Sequence, residues 1–218
     1  MTRGFLFQKR LMDLAITSVL VLLVLWWLLP VLALLVLIRS RGTILVSEHR
    51  TGRRGQSFRY VRFRTTRFNA WGVEEKTSLG NFLQLSGLES LPLLLQVLLG
   101  HMSLVGPRPF SVRDDERCAA LLKGYYARYA FKPGLVDMAS IKVKQVLADD
   151  AVALFHLQQW DAYYGRNASL RLDWKILYQS LRRRLRALKT GRPSETIILH
   201  TPTVKLLKAS PRFGTFNN

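Results

Sequence analysis

The stretch LAITSVLVLLVLWWLLPVLALLVLI, from Leu14 to Ile38, decides the architecture of this chain. It contains 25 residues without a charge, and its only hydroxyl side chains are Thr17 and Ser18. An apolar run of more than about 18 residues predicts a helix that enters a membrane. The run is too long for the core of a signal peptide, and no small-residue cleavage site follows it. We therefore expect the segment to be retained.

Basic residues flank both ends of the apolar run. Such residues are typical of segments on the cytoplasmic side of a membrane. Pro30 interrupts the run and removes one helical hydrogen bond, which favours a kink. Trp26 and Trp27 lie at its middle, although tryptophan prefers the membrane interface. From the residues alone, two arrangements are open. The helix bends near Leu29–Pro30 and returns to the same face, or it crosses the bilayer as a single kinked span.

The whole chain is both apolar and basic. Its 218 residues include 33 Lys and Arg against 14 Asp and Glu, a formal net charge of +19, and 49% are hydrophobic. That hydrophobic content excludes an intrinsically disordered chain. The charge predicts anionic partners such as lipid headgroups and phosphates. No nucleic-acid partner is expected, because no helix-turn-helix, zinc module or aromatic platform is visible. A single cysteine, Cys118, excludes an internal disulfide.

The rest of the chain predicts a small mixed domain. A β-hairpin is expected from Thr43–Val46 and Phe58–Arg64 around a glycine-containing turn, followed by a loop over 67–80. Phe82–Leu99 should form two short helices that meet near Ser90–Pro92, because Gly87 and Pro92 interrupt it. Further helices are expected at 114–130, 149–164 and 169–189, and 190–218 should be mostly irregular. The 169–189 helix is basic and amphipathic, which indicates either a membrane-surface helix or a solvated charged face.

The common catalytic fingerprints are absent from the sequence. There is no HExxH metal motif, no P-loop and no GxGxxG loop. An Mg²⁺ site needs only one or two carboxylates together with substrate phosphates. The chain's arginines in turns and strands are suited to phosphate recognition, since guanidinium groups bind phosphate in a bidentate manner. The candidates are Arg50, Arg62, Arg64 and Arg108.

At Gly100–Pro109 the sequence reads GHMSLVGPRP and resembles the G-D-M-S-L-V-G-P-R-P signature of the bacterial sugar transferases, the monotopic polyprenyl-phosphate phosphoglycosyl transferases. Other pieces follow in that family's order over about residues 7–180. They are Lys9-Arg10 with Asp13, Pro30, Arg50 with Gly52, Arg62-Phe63-Arg64-Thr65, Lys132-Pro133-Gly134, and Asp161, Tyr164, Asn167, Ser169 and Asp173.

The resemblance implies an architecture. The fold class is α/β, mainly α, with an N-terminal re-entrant membrane helix-hairpin broken at Pro30 and a small cytosolic domain. That domain is expected to contain a short β-hairpin and membrane-surface amphipathic helices. The implied domains are an anchor at 1–40, a transferase-like domain at 41–190 and a basic tail at 191–218. The implied location is the bacterial inner membrane, with the domain on its cytoplasmic face.

The resemblance also implies an activity. Such enzymes transfer a sugar-1-phosphate from a UDP-sugar to undecaprenyl phosphate and so initiate a surface glycan, with Mg²⁺ as cofactor. The implied partners are these two substrates and the lipid bilayer, and a homo-oligomer is left open. In the family, the Asp of an Asp-Glu pair in L-D-E-L-P attacks the diphosphate. Glu89 and Ser90 stand at those positions, so Glu89 is the expected nucleophile and metal ligand.

Four further expectations concern individual residues. Arg64 and Arg108 are expected to contact phosphate with Arg62, and Pro107 and Pro109 should hold the loop against the nucleotide. Ser90, Ser140 and His101 depart from the family pattern, which raises the alternative of a non-catalytic relative that serves as a membrane scaffold in glycan assembly. Asp137 is an additional carboxylate near the K-P-G turn, and we consider it as compensation for the lost Glu. Asp161, Tyr164, Asn167 and Asp173 are expected to be structural.

Overall fold

The computed structural model describes residues 3–40, 42–142 and 151–191 of the chain. The apolar stretch forms helix α1 (Arg3–Leu20), a π-helical turn (Val21–Leu25) and helix α2 (Trp26–Ser40). Pro30 lies inside α2, and the Trp27 indole Nε1 donates to the carbonyl of Leu23 at 3.0 Å. A proline, a π-turn and a side chain bonded to a helix carbonyl are three recognised sources of helix bending. Within the described residues, Gly4–Arg39 is a helix long and apolar enough to cross a membrane by length and composition.

Three charged residues that precede the apolar run, Lys9, Arg10 and Asp13, bind the N-terminal helix to the rest of the protein. Lys9 forms a 2.7 Å ion pair with the fully buried Asp173. Arg10 donates to two backbone carbonyls at 2.7 and 2.9 Å. Asp13, itself buried, accepts from the Ser103 hydroxyl at 2.6 Å. The residues of the K-R-x-x-D pattern therefore join the N-terminal helix to the rest of the protein through an ion pair and hydrogen bonds.

The predicted β-hairpin is confirmed as strands β1 (Leu45–Thr51) and β2 (Ser57–Phe63), which pair antiparallel. The predicted loop over 67–80 is wrong. Strands β3 (Thr66–Phe68) and β4 (Glu74–Lys76) form a second hairpin there. Its strands are too short and too polar to show alternation. The hairpin is closed by the Asn69 side chain, which accepts from the amides of Trp71 and Val73.

The predicted break between two short helices is confirmed. Helix α3 spans Ser78–Ser86, a 3₁₀ turn covers Leu88–Ser90, and helix α4 spans Leu93–Leu98. Arg10 thus caps the C-terminal end of α4, because the carbonyls it binds belong to Val97 and Leu98. Strand β5 (Ser103–Val105) follows and pairs in parallel with β6 (Gly134–Val136).

The remaining elements are helical, and one of them, helix α8 (Leu170–Thr190), packs against both strands of the parallel pair. The predicted helix over 114–130 is in fact α5 (Val112–Leu121) and a 3₁₀ segment (Tyr125–Ala130), separated by Gly124 with a φ of 74°. The short helix α6 (Met138–Lys142) comes next. The two predicted C-terminal helices are confirmed as α7 (Ala151–Asn167) and α8 (Leu170–Thr190). Of the predicted irregular tail over 190–218, Thr190 instead ends α8, and the rest apart from Gly191 lies outside the described residues.

The main hydrophobic core packs the N-terminal helical segment, residues 3–40, against the rest of the protein. Leu25 of the π-turn packs with Leu93, Leu94 and Val97 of α4. A second cluster joins Leu32 and Val36 of α2 to Phe63 and Leu83. The described part of the chain is mainly helical and contains three short pairs of β-strands.

Candidate functional site

A cavity of about 140 Å³ lies where the hairpin, the α3–α4 connection, the β6–α6 turn and helix α8 meet. Its lining includes both residues at the expected dyad position, Glu89 and Ser90, and also Arg108 and Pro109 of the GPRP loop. Asp137, which lies between β6 and the following short helix (Met138–Lys142), and Ser140 of that helix also line the cavity. Segments that are far apart in the sequence thus converge on the expected catalytic carboxylate.

The Glu89 carboxylate has cationic neighbours. Its Oε2 lies 3.7 Å from Nη1 of Arg62. That oxygen is buried and accepts no hydrogen bond within the described part of the chain. A buried carboxylate oxygen without a donor is energetically unfavourable unless a ligand, ion or water satisfies it. Glu89 therefore presents to the cavity a carboxylate oxygen that can accept a hydrogen bond or coordinate an ion.

A second carboxylate organises the arginines on the hairpin side. Glu48 binds Arg50 at 3.1 Å and Arg62 at 3.3 Å. Burial acts to raise the pKa of Glu48, but the two arginines outweigh it and hold that pKa below its usual value. Arg50 also lies 3.9 Å from the centre of the Tyr60 ring. This network presents Arg50 to the cavity and Arg62 to Glu89.

The GPRP loop is fixed at each of its residues. Arg50 donates to the carbonyl of Pro109 at 3.1 Å, and Gly134 donates to that of Pro107 at 2.9 Å. Arg128 donates to the carbonyl of Arg108. The Arg108 side chain is half-buried and lines the cavity, whereas Pro107 is buried behind it. The loop is thus a rigid support for one cavity arginine.

Arg64 lies elsewhere. It is not part of the cavity lining; its guanidinium donates to Thr43 Oγ1 at 2.8 Å and lies 5.9 Å from the centre of the Phe68 ring. The structure therefore brings Glu89, Ser90, Arg108 and Pro109 to one cavity. Arg62 contacts Glu89 without lining that cavity, and Arg64 does not reach it. Pro30 lies in helix α2 and is not among the residues that line the cavity.

The sequence analysis missed Arg183 and Arg184, which α8 contributes to the cavity. Arg183 donates to the carbonyl of Ser140. Burial lowers the pKa of Arg184, although the nearby Glu89 opposes this shift. Both residues fall in a run of arginines that suggested a membrane or solvent face. No spacing within that run distinguishes the residues that face the cavity.

Gly87 explains how Arg184 fits against the dyad segment. This glycine has a φ of 80°, and a Cβ placed on it would lie 1.3 Å from Nη1 of Arg184. The guanidinium therefore rests directly on the backbone two residues before Glu89. A side chain at position 87 would have to displace it.

Two carboxylates in the cavity, Glu89 and Asp137, could contribute oxygen ligands to a Mg²⁺ ion. Glu89 offers its unsatisfied oxygen, and Asp137 is a second carboxylate in the same cavity, with one oxygen accepting from the Ser140 amide at 2.5 Å. Among the described residues, no group of three or more His, Cys, Asp or Glu is arranged to hold a metal ion. One or two carboxylates suffice for Mg²⁺ when substrate phosphates complete its shell.

The four residues expected to be structural make internal bonds. Asp161 lies 3.3 Å from Arg128, and both are buried. The Tyr164 hydroxyl donates to Asp173 at 2.8 Å, and Asn167 donates to the carbonyl of Tyr163. These contacts join α7 to its neighbours and to α8.

A cavity lined by four arginines and an open carboxylate is chemically suited to phosphorylated ligands, because guanidinium groups form strong charge-assisted hydrogen bonds with phosphate. Comparison with known proteins narrows this class. Residues 5–187 match the family described as bacterial sugar transferase, and the chain belongs to that family.

Three curated relatives illustrate the similarity. The chain is 32% identical over 179 residues to a UDP-glucose:undecaprenyl-phosphate glucose-1-phosphate transferase of Klebsiella pneumoniae, and 33% identical over 182 residues to the protein of the same name in Escherichia coli K12. Each match covers 78% of this chain but only 38% of the relative. An exopolysaccharide production protein of Rhizobium leguminosarum bv. phaseoli is 30% identical over 183 residues, which cover 78% of this chain and 91% of that protein.

Proposed function

We propose that the chain is a phosphoglycosyl transferase that moves a sugar-1-phosphate from a UDP-sugar to undecaprenyl phosphate at a membrane surface. The observation that carries this proposal is the Glu89 Oε2 atom, which is buried in an arginine-lined cavity and accepts no hydrogen bond from the described residues. Family membership and the names of the relatives supply the reaction class. The relatives use glucose or galactose donors by name, so a UDP-hexose is the first substrate to test.

The resemblance to the family implies a two-step transfer, which these residues would carry out as follows. The Glu89 carboxylate attacks the β-phosphorus, the bond from that phosphorus to the bridging oxygen breaks, and UMP leaves with the bonding electrons. The phosphate of the lipid then attacks the same phosphorus and releases Glu89 as a carboxylate. Arg108, Arg184 and Arg50 oppose the negative charge of the diphosphate throughout, which is the electrostatic contribution expected at such a site.

Mg²⁺ is part of this proposal. Glu89 and Asp137 would hold it together with the diphosphate oxygens. When bound it supplies additional positive charge at the phosphates. Ser90 contributes a hydroxyl instead of a carboxylate at the neighbouring position, which makes Asp137 the second acidic group available in the cavity.

We also propose that the anchor is re-entrant and that the domain rests on the cytoplasmic face of the inner membrane. Buried residues recur along the whole helix, from Asp13 through Thr17, Leu25 and Leu32 to Val36. A helix that crossed the bilayer alone would leave this stretch without protein contacts. Helix α8 supports a surface location, because it exposes an apolar stripe at spacings of three and four, formed by Trp174, Tyr178, Leu181, Leu185 and Leu188.

The test uses the full chain in nanodiscs with undecaprenyl phosphate, Mg²⁺ and a panel of UDP-sugars, with UMP as the measured product. Release with one sugar is expected, and Glu89→Ala should abolish it. Glu116→Ala removes an exposed carboxylate from α5 and is the matched control. Without lipid acceptor, intact-mass spectrometry should show a sugar-phosphate adduct on the wild type and none on Glu89→Ala. If no sugar gives UMP or an adduct beside an active family member, the scaffold alternative takes precedence.

A further inference from the structure

A second group of cations lies away from the reaction cavity. Arg53, in the turn between β1 and β2, and Lys132, before β6, line two further cavities, and neither of these shares a lining residue with the reaction cavity. Neither side chain makes a hydrogen bond or an ion pair within the described residues. Asp13 also lines one of these cavities, but the cations of the two linings outnumber it. A group with such an excess of positive charge is a candidate for binding an anion.

Gly100 shows how close these cations are to one another. It has a φ of 87°, and a Cβ on it would lie 3.4 Å from Nη2 of Arg10 and 3.5 Å from Nζ of Lys132. Both cationic groups therefore approach the same point above one glycine. Burial lowers the pKa of Lys132, and the positive charges of Arg10 and Arg53 lower it further, whereas the Asp13 carboxylate opposes this shift without cancelling it. An anion placed between these groups would relieve their mutual repulsion.

The two cavities differ in polarity. One, of about 210 Å³, is lined by the polar turn with Arg53, Arg54 and Gln56 and by His101 and Lys132. The other, of about 280 Å³, is lined largely by apolar groups, among them Leu6, Phe7, Val105, Phe131 and Tyr164. Arg53 and Lys132 belong to both linings. A ligand spanning the two cavities would need an anionic part and an apolar part.

The position of this pair of cavities indicates where such a ligand comes from. Arg10 precedes the charge-free run that begins at Leu14 by only four residues, which is about one helical turn. Basic residues at this distance from an apolar segment lie at the level of the lipid headgroups. The apolar cavity includes Phe7, which is also 72% exposed. A membrane lipid can therefore reach both cavities without leaving the bilayer.

We propose that Arg10, Arg53 and Lys132 form a binding site for the headgroup phosphate of an anionic membrane phospholipid, whose acyl chain enters the cavity beside Leu6, Phe7 and Phe131. The bound lipid fastens the start of α1 to the β1–β2 turn and to the β6 segment. The site is separate from the reaction cavity, so it acts in positioning the anchor and not in the transfer.

The test measures which lipids remain bound to the protein. The full chain is placed in nanodiscs containing equal amounts of phosphatidylcholine and phosphatidylglycerol, released, and examined by native mass spectrometry. The wild type should retain phosphatidylglycerol about tenfold over phosphatidylcholine, since charge-assisted hydrogen bonds to phosphate are the strong ones. Arg53→Gln with Lys132→Gln should reduce this preference to near parity.

Three comparisons keep the result interpretable. Arg113→Gln with Arg117→Gln removes the same charge from exposed positions of α5 and should leave the preference intact. Arg53→Lys with Lys132→Arg keeps the charges and should retain it, whereas loss of the preference there would overturn a site built on charge. An unchanged preference in the double glutamine variant would also overturn the proposal. So would retention of undecaprenyl phosphate in place of phosphatidylglycerol when both are present. None of these outcomes depends on turnover.

Discussion

At the scale of single residues, Gly87 gives the sharpest test of the cavity. Gly87→Ala should cost about 1–2 kcal/mol of stability, because an L-residue is forced into a left-handed conformation. It should also lower the affinity for UDP-sugar by displacing the Arg184 guanidinium that rests on this glycine. Chemical denaturation and the KM for UDP-sugar measure the two effects.

Gly72→Ala is the matched control for that substitution. Gly72 has a φ of 72°, and nothing lies within 4 Å of a Cβ placed there. It should therefore show the backbone strain without the change in KM. An equal KM in both variants would mean that Arg184 does not contact the substrate.

Glu48 provides a prediction on pH. Arg50 and Arg62 hold its pKa below the unfolded value of 4.5, so its ionised form stabilises the fold above that pH. This contribution is lost as the pH falls through the lower pKa of the folded state. In Glu48→Gln, the free energy of unfolding should fall less steeply below about pH 4.5 than in the wild type. Urea denaturation in detergent at a series of pH values measures this, and identical slopes would contradict the network.

At the scale of the elements, the ion pair between α1 and α8 provides a test of how the two helices are held together. The Lys9–Asp173 ion pair is almost fully buried, with side-chain exposures of 12% and 0%. Lys9→Met leaves the Asp173 charge without its partner and should destabilise the protein by about 3–5 kcal/mol. Adding Asp173→Asn should recover much of that loss, because no uncompensated charge remains. Thermal unfolding of the three proteins in one detergent measures the difference; equal losses in both variants would show that the pair itself, and not the orphaned charge, matters.

The elements also show what the sequence can and cannot predict. The β1–β2 hairpin and the α7 and α8 helices are long enough to carry a clear residue pattern, so they were predicted. The β3–β4 hairpin was not, because three-residue polar strands held by an Asn69 turn have no periodicity. Only some of the residues that line the cavity can be predicted from the sequence. Glu89, Ser90 and Arg108 follow from local motifs, whereas Arg184 reaches the cavity through the packing of α8 against Gly87. Long-range packing of this kind leaves no signal in local spacing.

At the scale of the whole molecule, the disposition of the anchor is the remaining prediction. Contacts along the helix from Asp13 to Val36 require the domain to follow the helix, and basic residues flank both ends of the apolar run. Both properties favour an anchor whose two ends lie on the cytoplasmic face. In a Cys118→Ser background, Gly4→Cys and Trp71→Cys place thiols before and after the run. A Cβ at Gly4 has nothing within 4 Å, and Trp71 is 84% exposed.

A membrane-impermeant maleimide applied to intact spheroplasts should label neither cysteine, because both would face the cytoplasm. After permeabilisation, both should be labelled. A single spanning helix would place the two residues on opposite sides, so one cysteine would react in intact cells. That result would also require the contacts between the domain and one half of the helix to lie within the bilayer. Since Lys9 and Asp13 are themselves bound to the domain at the beginning of the run, a spanning arrangement would carry these charges into the apolar phase, where their burial is strongly unfavourable.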